Sequence, residues 1–379
     1  MSLRIHLRSF AAIAAGLIAA SCAGHDAGMM PAANTMPQTS SAAAASAYTA
    51  ATTGSILKQL TRQVVIGSTV DPSFGQLNPY GLTVAPSTNG KIAKGDLVVC
   101  NFNASSNVQG TGFTIVALHP APGSSPTLID ADQTTLLGCN ALALAPDDTI
   151  WAAAFAANDN PVISPSGALV RNFSGPPFNH PFGQTFANPR HGTPVFYESN
   201  AGDGTIVRIT PSTMKAEVVA TGFPVNGGMP GSILSPSGLQ YDRATDTLYV
   251  VDGTNNSVTA IRDVSSMPPS CLVVKDRGRH FSGRCAGKVR LLVMGAPLNG
   301  PISSALLFNG NLVIGNTLDP DGKNLMVEIN PAGKVLDVRN VDTGPAGSLF
   351  GMVATGTDAG NTKLYFNDDN DNNLQVLER

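Results

Sequence analysis

Charge is scarce in this chain of 379 residues: Asp, Glu, Lys and Arg together make up 13%, and the formal net charge is −3. Binding to nucleic acid through phosphates needs a basic surplus, so that partner class is excluded from the expectations. Tryptophan occurs once, and no apolar run reaches the roughly 20 residues that a membrane-spanning helix requires. The common catalytic signatures are missing as well. There is no Gly-x-Ser-x-Gly, no phosphate loop, no His-Glu-x-x-His and no Cys-x-x-Cys, which removes the usual serine-hydrolase, nucleotide, zincin and dithiol chemistries. Gly110-Thr111-Gly112 lacks a third glycine and a following helix, and reads as a turn.

What the chain does have is a repeat. Six times a small residue among alternating apolar ones is followed by a turn, an apolar strand and, in most copies, Asn or Asp. The fourth copy, Ser237-Gly238-Leu239-Gln240-Tyr241 with Leu248-Tyr249-Val250-Val251-Asp252, is the clearest. Unit starts at Gly81, Ala141, Thr185, Gly238, Ala305 and Gly351 span 270 residues with a mean spacing of 54, room for four strands and their loops. Such a unit cannot bury both of its faces alone, so copies must pack side by side, and sheets packed radially close into a ring. The expected fold is all-β, a six-bladed β-propeller over residues 55–379. The last unit has only three strands before Arg379, so Arg62–Gly67 is expected to supply the fourth and close the ring.

The first residues carry an address. Arg4, His6 and Arg8 precede the apolar run Phe10–Ala20, the pattern of a signal peptide over residues 1–21. Ala19-Ala20-Ser21-Cys22 resembles the lipobox of bacterial lipoproteins, which implies that the Cys22 thiol carries the lipid and that Ala23 directs the protein to the outer membrane. The expectation is a cell-envelope protein held to the membrane by its acyl chains, periplasmic or surface-facing. Residues 22–54, rich in Ala, Ser and Thr and nearly uncharged, read as a flexible tether. Losing Arg4 and Arg8 with the signal takes the formal charge from −3 to −5. Four cysteines remain besides Cys22, an even number suited to an oxidising compartment. Cys271 is expected to pair with Cys285 across a hairpin, which the chain-entropy model values at about 3 kcal/mol. Cys100 ends a second strand and Cys139 precedes the next inner strand, so these two are expected to bridge neighbouring blades.

Asn78-Pro79-Tyr80-Gly81-Leu82-Thr83-Val84, and Pro236–Tyr241 followed by Thr247–Val258, resemble NHL repeats and, more distantly, the blades of SMP-30/gluconolactonase-type propellers. The resemblance spans residues 60–377, and its second, third and fifth units are degenerate. SMP-30-like lactonases hold a divalent cation in the central channel with Glu, Asn and Asp side chains, so it implies a search for oxygen ligands at the channel mouth. The residues entering the inner strands are Asn78, Asn140, Gln184, Ser237, Ser303 and Ser348, a polar but uncharged ring. Acidic loops containing Asp203, Asp252, Asp319 and Asp368 should share that face, either as a cation or sugar-hydroxyl site or simply as Asn and Asp capping tight turns. Asp368–Asn373 is not an EF-hand, because Leu374 stands where Gly is required. No cofactor is expected on the main reading, and Ca²⁺ belongs to the lactonase alternative. His119, His180 and His191 have no ligand spacing. Phe173, Phe178, Phe182 and Phe186 are read either as a ligand groove or as packing beneath a long loop.

One segment has a charge signature. Residues 271–290 hold six Lys or Arg against one Asp, a local +5 on an otherwise acidic chain, with Arg277, Arg279 and Arg284 as candidates for an anionic partner. The functional expectation is therefore a binding or scaffolding module that acts through its channel-mouth face on a protein, polysaccharide or small-molecule ligand, with a metal-dependent lactonase or related hydrolase using Asn and Asp side chains at that mouth as the alternative.

Overall fold

The computed structural model describes residues 54–379 except 229, 230, 233 and 320. The segment expected to be a signal peptide, the expected lipidation site Cys22 and nearly all of the expected tether lie outside the described residues. Six sheets are present, and each begins with a strand at the centre of the ring: Leu77–Val84, Cys139–Leu144, Pro181–Ala187, Pro236–Asp242, Pro301–Leu306 and Leu349–Thr355. Within each blade the next strands follow outward by antiparallel pairing, as the short turns between period-2 segments require. This is a six-bladed β-propeller.

Blade contacts explain the repeat. Apolar side chains of adjacent blades interdigitate in six clusters, one per blade junction; at the junction of the second and third, Trp151 packs on Phe173, Phe186 and Phe196. Phe178 joins the same cluster and Phe182 an axial one, so the aromatic segment is packing rather than a groove. Each inner strand also carries a small residue where it meets its neighbour. A Cβ on Gly81 would stand 2.9 Å from the Ala141 Cα, and one on Gly238 would stand 3.1 Å from the Ser303 Cα. The equivalents in the third and fifth blades are Gly183 and Ser303, two residues before the starts expected from sequence, Thr185 and Ala305. A slip of two keeps the same face of the strand, which is why the alternation alone did not expose it.

Two segments join distant parts of the chain. Arg62–Ser68 pairs antiparallel with Asn373–Glu378 as the outermost strand of the sixth blade. Just before it, the helical turn Leu57–Gln59 is seated by Glu328, whose buried carboxylate accepts from the Ile56 and Leu57 amides, Ser55 Oγ and Asn311 Nδ2. The basic hairpin lies between the third and fourth strands of blade four. It adds to blade three instead, with Leu272–Lys275 running parallel to Lys215–Thr221 and pairing with His280–Ser282, so that sheet has six strands.

Candidate functional site

Most of the residues expected at an open channel mouth are committed to holding the blades together. Asn140 Nδ2 donates to the Pro181 carbonyl at 3.3 Å, Ser237 Oγ to Pro301 O at 3.3 Å, and Ser303 Oγ to Phe350 O, each acceptor lying on the next inner strand. Ser199 Oγ donates to Ser237 O at 2.8 Å and Asn367 Nδ2 to Gly81 O at 3.1 Å, which extends the pattern through the sixth blade back to the first. Asn78, held at φ 59°, donates its backbone amide to Asn372 Oδ1 at 2.7 Å and its Nδ2 to Gln109 Oε1 at 3.2 Å. Edge carbonyls would otherwise be left without donors, so polar side chains at these positions are a structural requirement of the ring.

The mouth is also closed. Tyr80, Phe102, Phe155, Phe182, Ile302 and Phe350, with Ala201 and Leu234, form one buried cluster drawn from all around the axis. Tyr80 stacks on Phe350 with centroids 3.8 Å apart and lies 4.5 Å from Phe102. Burial pushes the Tyr80 hydroxyl far above the ordinary phenol range, and the nearby Asp369 charge adds to it. Above the rings, a Cβ on Gly231 would lie 2.7 Å from Gln109 Oε1, so loops from opposite sides of the ring meet there. Asn78, Asn140, Gln184 and Ser237, expected at the channel mouth, are buried. Sequence periodicity could not show this, because the five aromatics come from four units, the first, second, third and sixth.

Behind the aromatic layer the bore keeps a cavity of about 70 Å³, with Asn140, Gln184, Gln240, Ser303 and Ser304 among its lining residues. Gln184 Nε2 donates to Glu198 Oε2 at 2.9 Å, and Asn160 Nδ2 donates to the same oxygen. Glu198 is fully buried and burial drives its carboxyl well above the usual range, the Gln184 bond opposing. Sequence reasoning missed it. The available signal was a single Glu inside the apolar strand Val195–Asn200, where the second blade has Ala in the matching strand Ile150–Ala154.

The acidic loops behave mainly as turn caps. Asp252 Oδ1 accepts from the Asn255 amide at 3.2 Å, and burial raises its carboxyl to about 7 against the backbone bonds that lower it. Asp368 Oδ2 accepts from Gln375 Nε2 at 2.7 Å; burial, then the charges of Asp342 and Asp371, raise it to about 7. Among the described residues no group of three or more His, Cys, Asp or Glu is arranged to hold a metal ion. His119 contacts Asp96 at 3.1 Å, His180 packs on Phe155, and His191 is exposed; the three stay apart. Because the folded pKa of Asp252 exceeds its unfolded value near 4, its contribution to stability is full at low pH and is lost as pH rises through about 7. Asp252→Asn should therefore gain about 1–2 kcal/mol over the parent in urea unfolding at pH 8 and nothing at pH 4.

The cysteines divide. Cys271 and Cys285 are bonded, with Cα atoms 5.3 Å apart. Cys100 and Cys139 are free, buried thiols, so the expected bridge between them is corrected. Cys100 lies opposite Gly81 in the ladder, and the two thiols hydrogen-bond at the junction of blades one and two. Burial first, then that bond, pushes the Cys139 thiol well up. On the outer edge of blade three, the side chains of Arg277, Arg279 and Arg284 are exposed, and none has an ion pair among the described residues. Arg277 is positioned through its backbone, whose carbonyl accepts from Asn255 Nδ2.

No family model matches the chain, and no curated protein does. Solved structures do share its fold. A catalytically inactive virginiamycin B lyase from Staphylococcus aureus with quinupristin superposes with a TM-score of 0.52 at 13% identity, covering 84% of this chain and 99% of the lyase. A gluconolactonase from Xanthomonas campestris gives a TM-score of 0.53 at 14% identity over 84% of this chain and 89% of its own. The PQQ-bound aldose sugar dehydrogenase from Streptomyces coelicolor gives 0.50 at 17% identity over 84% and 98%. At these identities the likeness is one of architecture.

Proposed function

We propose that the chain is a lipid-anchored propeller of the bacterial cell envelope that acts as a binding module, engaging an anionic surface through the basic lobe at its rim. The observation that supports this most is the set of three exposed guanidiniums, Arg277, Arg279 and Arg284, on a hairpin braced by a disulfide and by pairing to blade three. Unpaired guanidiniums on a braced support keep their donors available to phosphate or carboxylate and need little ordering on binding. The lactonase alternative is weakened, because the polar ring it invokes lies under the aromatic cluster and brings no group of three or more His, Cys, Asp or Glu together among the described residues.

The test uses the Cys22→Ser chain, so that acylation does not itself cause membrane binding, against phosphatidylglycerol vesicles, phosphatidylcholine vesicles and an acidic polysaccharide. Each basic side chain near an anionic surface is worth about 1 kcal/mol, so replacing Arg277, Arg279 and Arg284 with Ser should weaken binding about 100-fold while the melting temperature stays nearly unchanged. Raising salt from 50 to 500 mM should weaken the parent in the same direction, a test chosen on the steep screening of exposed charges. A parent chain with no salt-sensitive binding to any of these surfaces would remove the lobe from consideration. The anchor is checked separately, by whether the parent's mature N-terminus carries acyl mass that Cys22→Ser lacks.

A further inference from the structure

At the junction of blades two and three, beside the bore-lining residue Gln184, three buried side-chain oxygens have no donor. Asn160 and Gln184 both turn their amide nitrogens to Glu198 Oε2. That leaves Asn160 Oδ1, Gln184 Oε1 and Glu198 Oε1 without a hydrogen-bond partner, all buried. Flipping either amide does not help, since it would set a carbonyl oxygen against the carboxylate. Buried acceptors of this kind are rare in folded proteins, and three on side chains already joined to one another are a collective demand for a positive centre. No Lys, Arg or His forms an ion pair with Glu198 among the described residues; its neighbours there are the Gln184 and Asn160 amides.

We propose that Asn160, Gln184 and Glu198 bind a monovalent metal cation, an alkali ion, at this junction. Amide and carboxylate oxygens are ligands for hard cations, and the softer transition metals would ask for nitrogen or sulfur. Charge selects the valence. A single carboxylate with two neutral amides is neutralised by one positive charge, whereas a divalent ion would leave a net charge in a desolvated site. The bore offers a route, because Gln184 also lines the axial cavity of about 70 Å³. Two more lining residues, Asn140 and Ser304, have buried oxygens without partners, which would receive the hydration water that a small ion retains. The site is separate from the basic lobe, and its cation would tie blade two to blade three.

The full-length protein is exchanged into choline chloride, and its melting temperature is followed as NaCl or KCl replaces choline at constant ionic strength. Binding to the folded state should raise it by about 5 °C by the time the cation is a hundredfold above its Kd. Glu198→Gln, which keeps the shape and removes the charge, should abolish the response. Equal melting temperatures in choline, sodium and potassium would overturn the proposal, leaving a proton or water in the site. A response to calcium or magnesium but not to alkali ions would overturn it too, as would an undiminished response in Glu198→Gln. Should that variant not fold, a thallous-ion soak of crystals of the parent protein decides: an anomalous peak among the three oxygens supports the site, and its absence refutes it.

Discussion

Gly183→Ala should be among the most damaging single-methyl changes this protein can suffer. The added Cβ would fall well inside contact distance of the Ser237 carbonyl oxygen, 2.8 Å from its carbon and 2.9 Å from the Leu239 nitrogen. All three atoms are backbone of the next inner strand, so no side chain can rotate away. The strands must separate, and the Ser199 to Ser237 hydrogen bond and the Gly183 amide bond to Ser199 Oγ would go with them. Overpacking ordinarily costs about 1–3 kcal/mol; with no flexible neighbour, a loss of about 4 kcal/mol or more is expected, or failure to accumulate as folded protein. Gly287→Ala is the control, having nothing within 4 Å, and should change stability by no more than about 0.5 kcal/mol. Urea unfolding of both variants is the measurement. If Gly183→Ala is as stable as its control, the inner strands are not packed as described.

Removal of Arg62–Ser68 is the second large effect. The segment pairs with Asn373–Glu378 from Arg62 opposite Glu378 to Ser68 opposite Asn373. Its side chain Ile66 is buried in the cluster between the sixth and first blades, and the Ile66 carbonyl accepts from the Ser124 amide at 3.0 Å. Deletion takes away a ladder, a buried aliphatic side chain and a contact to blade one, and exposes the hydrogen-bonding edge of Asn373–Glu378. A buried Ile alone contributes about 2–5 kcal/mol, so the melting temperature should fall by about 10 °C or more, with aggregation on heating. An unchanged melting temperature would show that this pairing contributes nothing to the ring.

Both predictions depend on contacts between repeats, and that is where the sequence became hard to read. The repeat itself was legible: period-2 alternation, turn residues such as Asn309-Gly310, and a spacing of 54 name six sheets without any tertiary information. The basic charge of residues 271–290 was equally plain, because composition needs no fold. The Cys271 to Cys285 pairing was readable because both ends belong to one hairpin, so their proximity is local.

What residues on different blades do to one another was not encoded in any window of the chain. Asn140, Ser237 and Ser303 looked like ligand groups, yet whether a polar side chain at a strand start faces solvent or a neighbour's carbonyl depends on where the next blade lies. Tyr80, Phe102, Phe155, Phe182 and Phe350 are spread over four units, and only closure of the ring brings them onto one axis. Cys100 and Cys139 were correctly placed as neighbours across a blade junction but meet as thiols. By itself the sequence determined the strands, their number and the order of the blades, because these follow from short-range periodicity. Only the tertiary structure decided that the mouth is shut, that the hairpin joins blade three, and that Glu198 is buried between blades two and three without a cationic partner, since each depends on radial packing of segments distant in the chain.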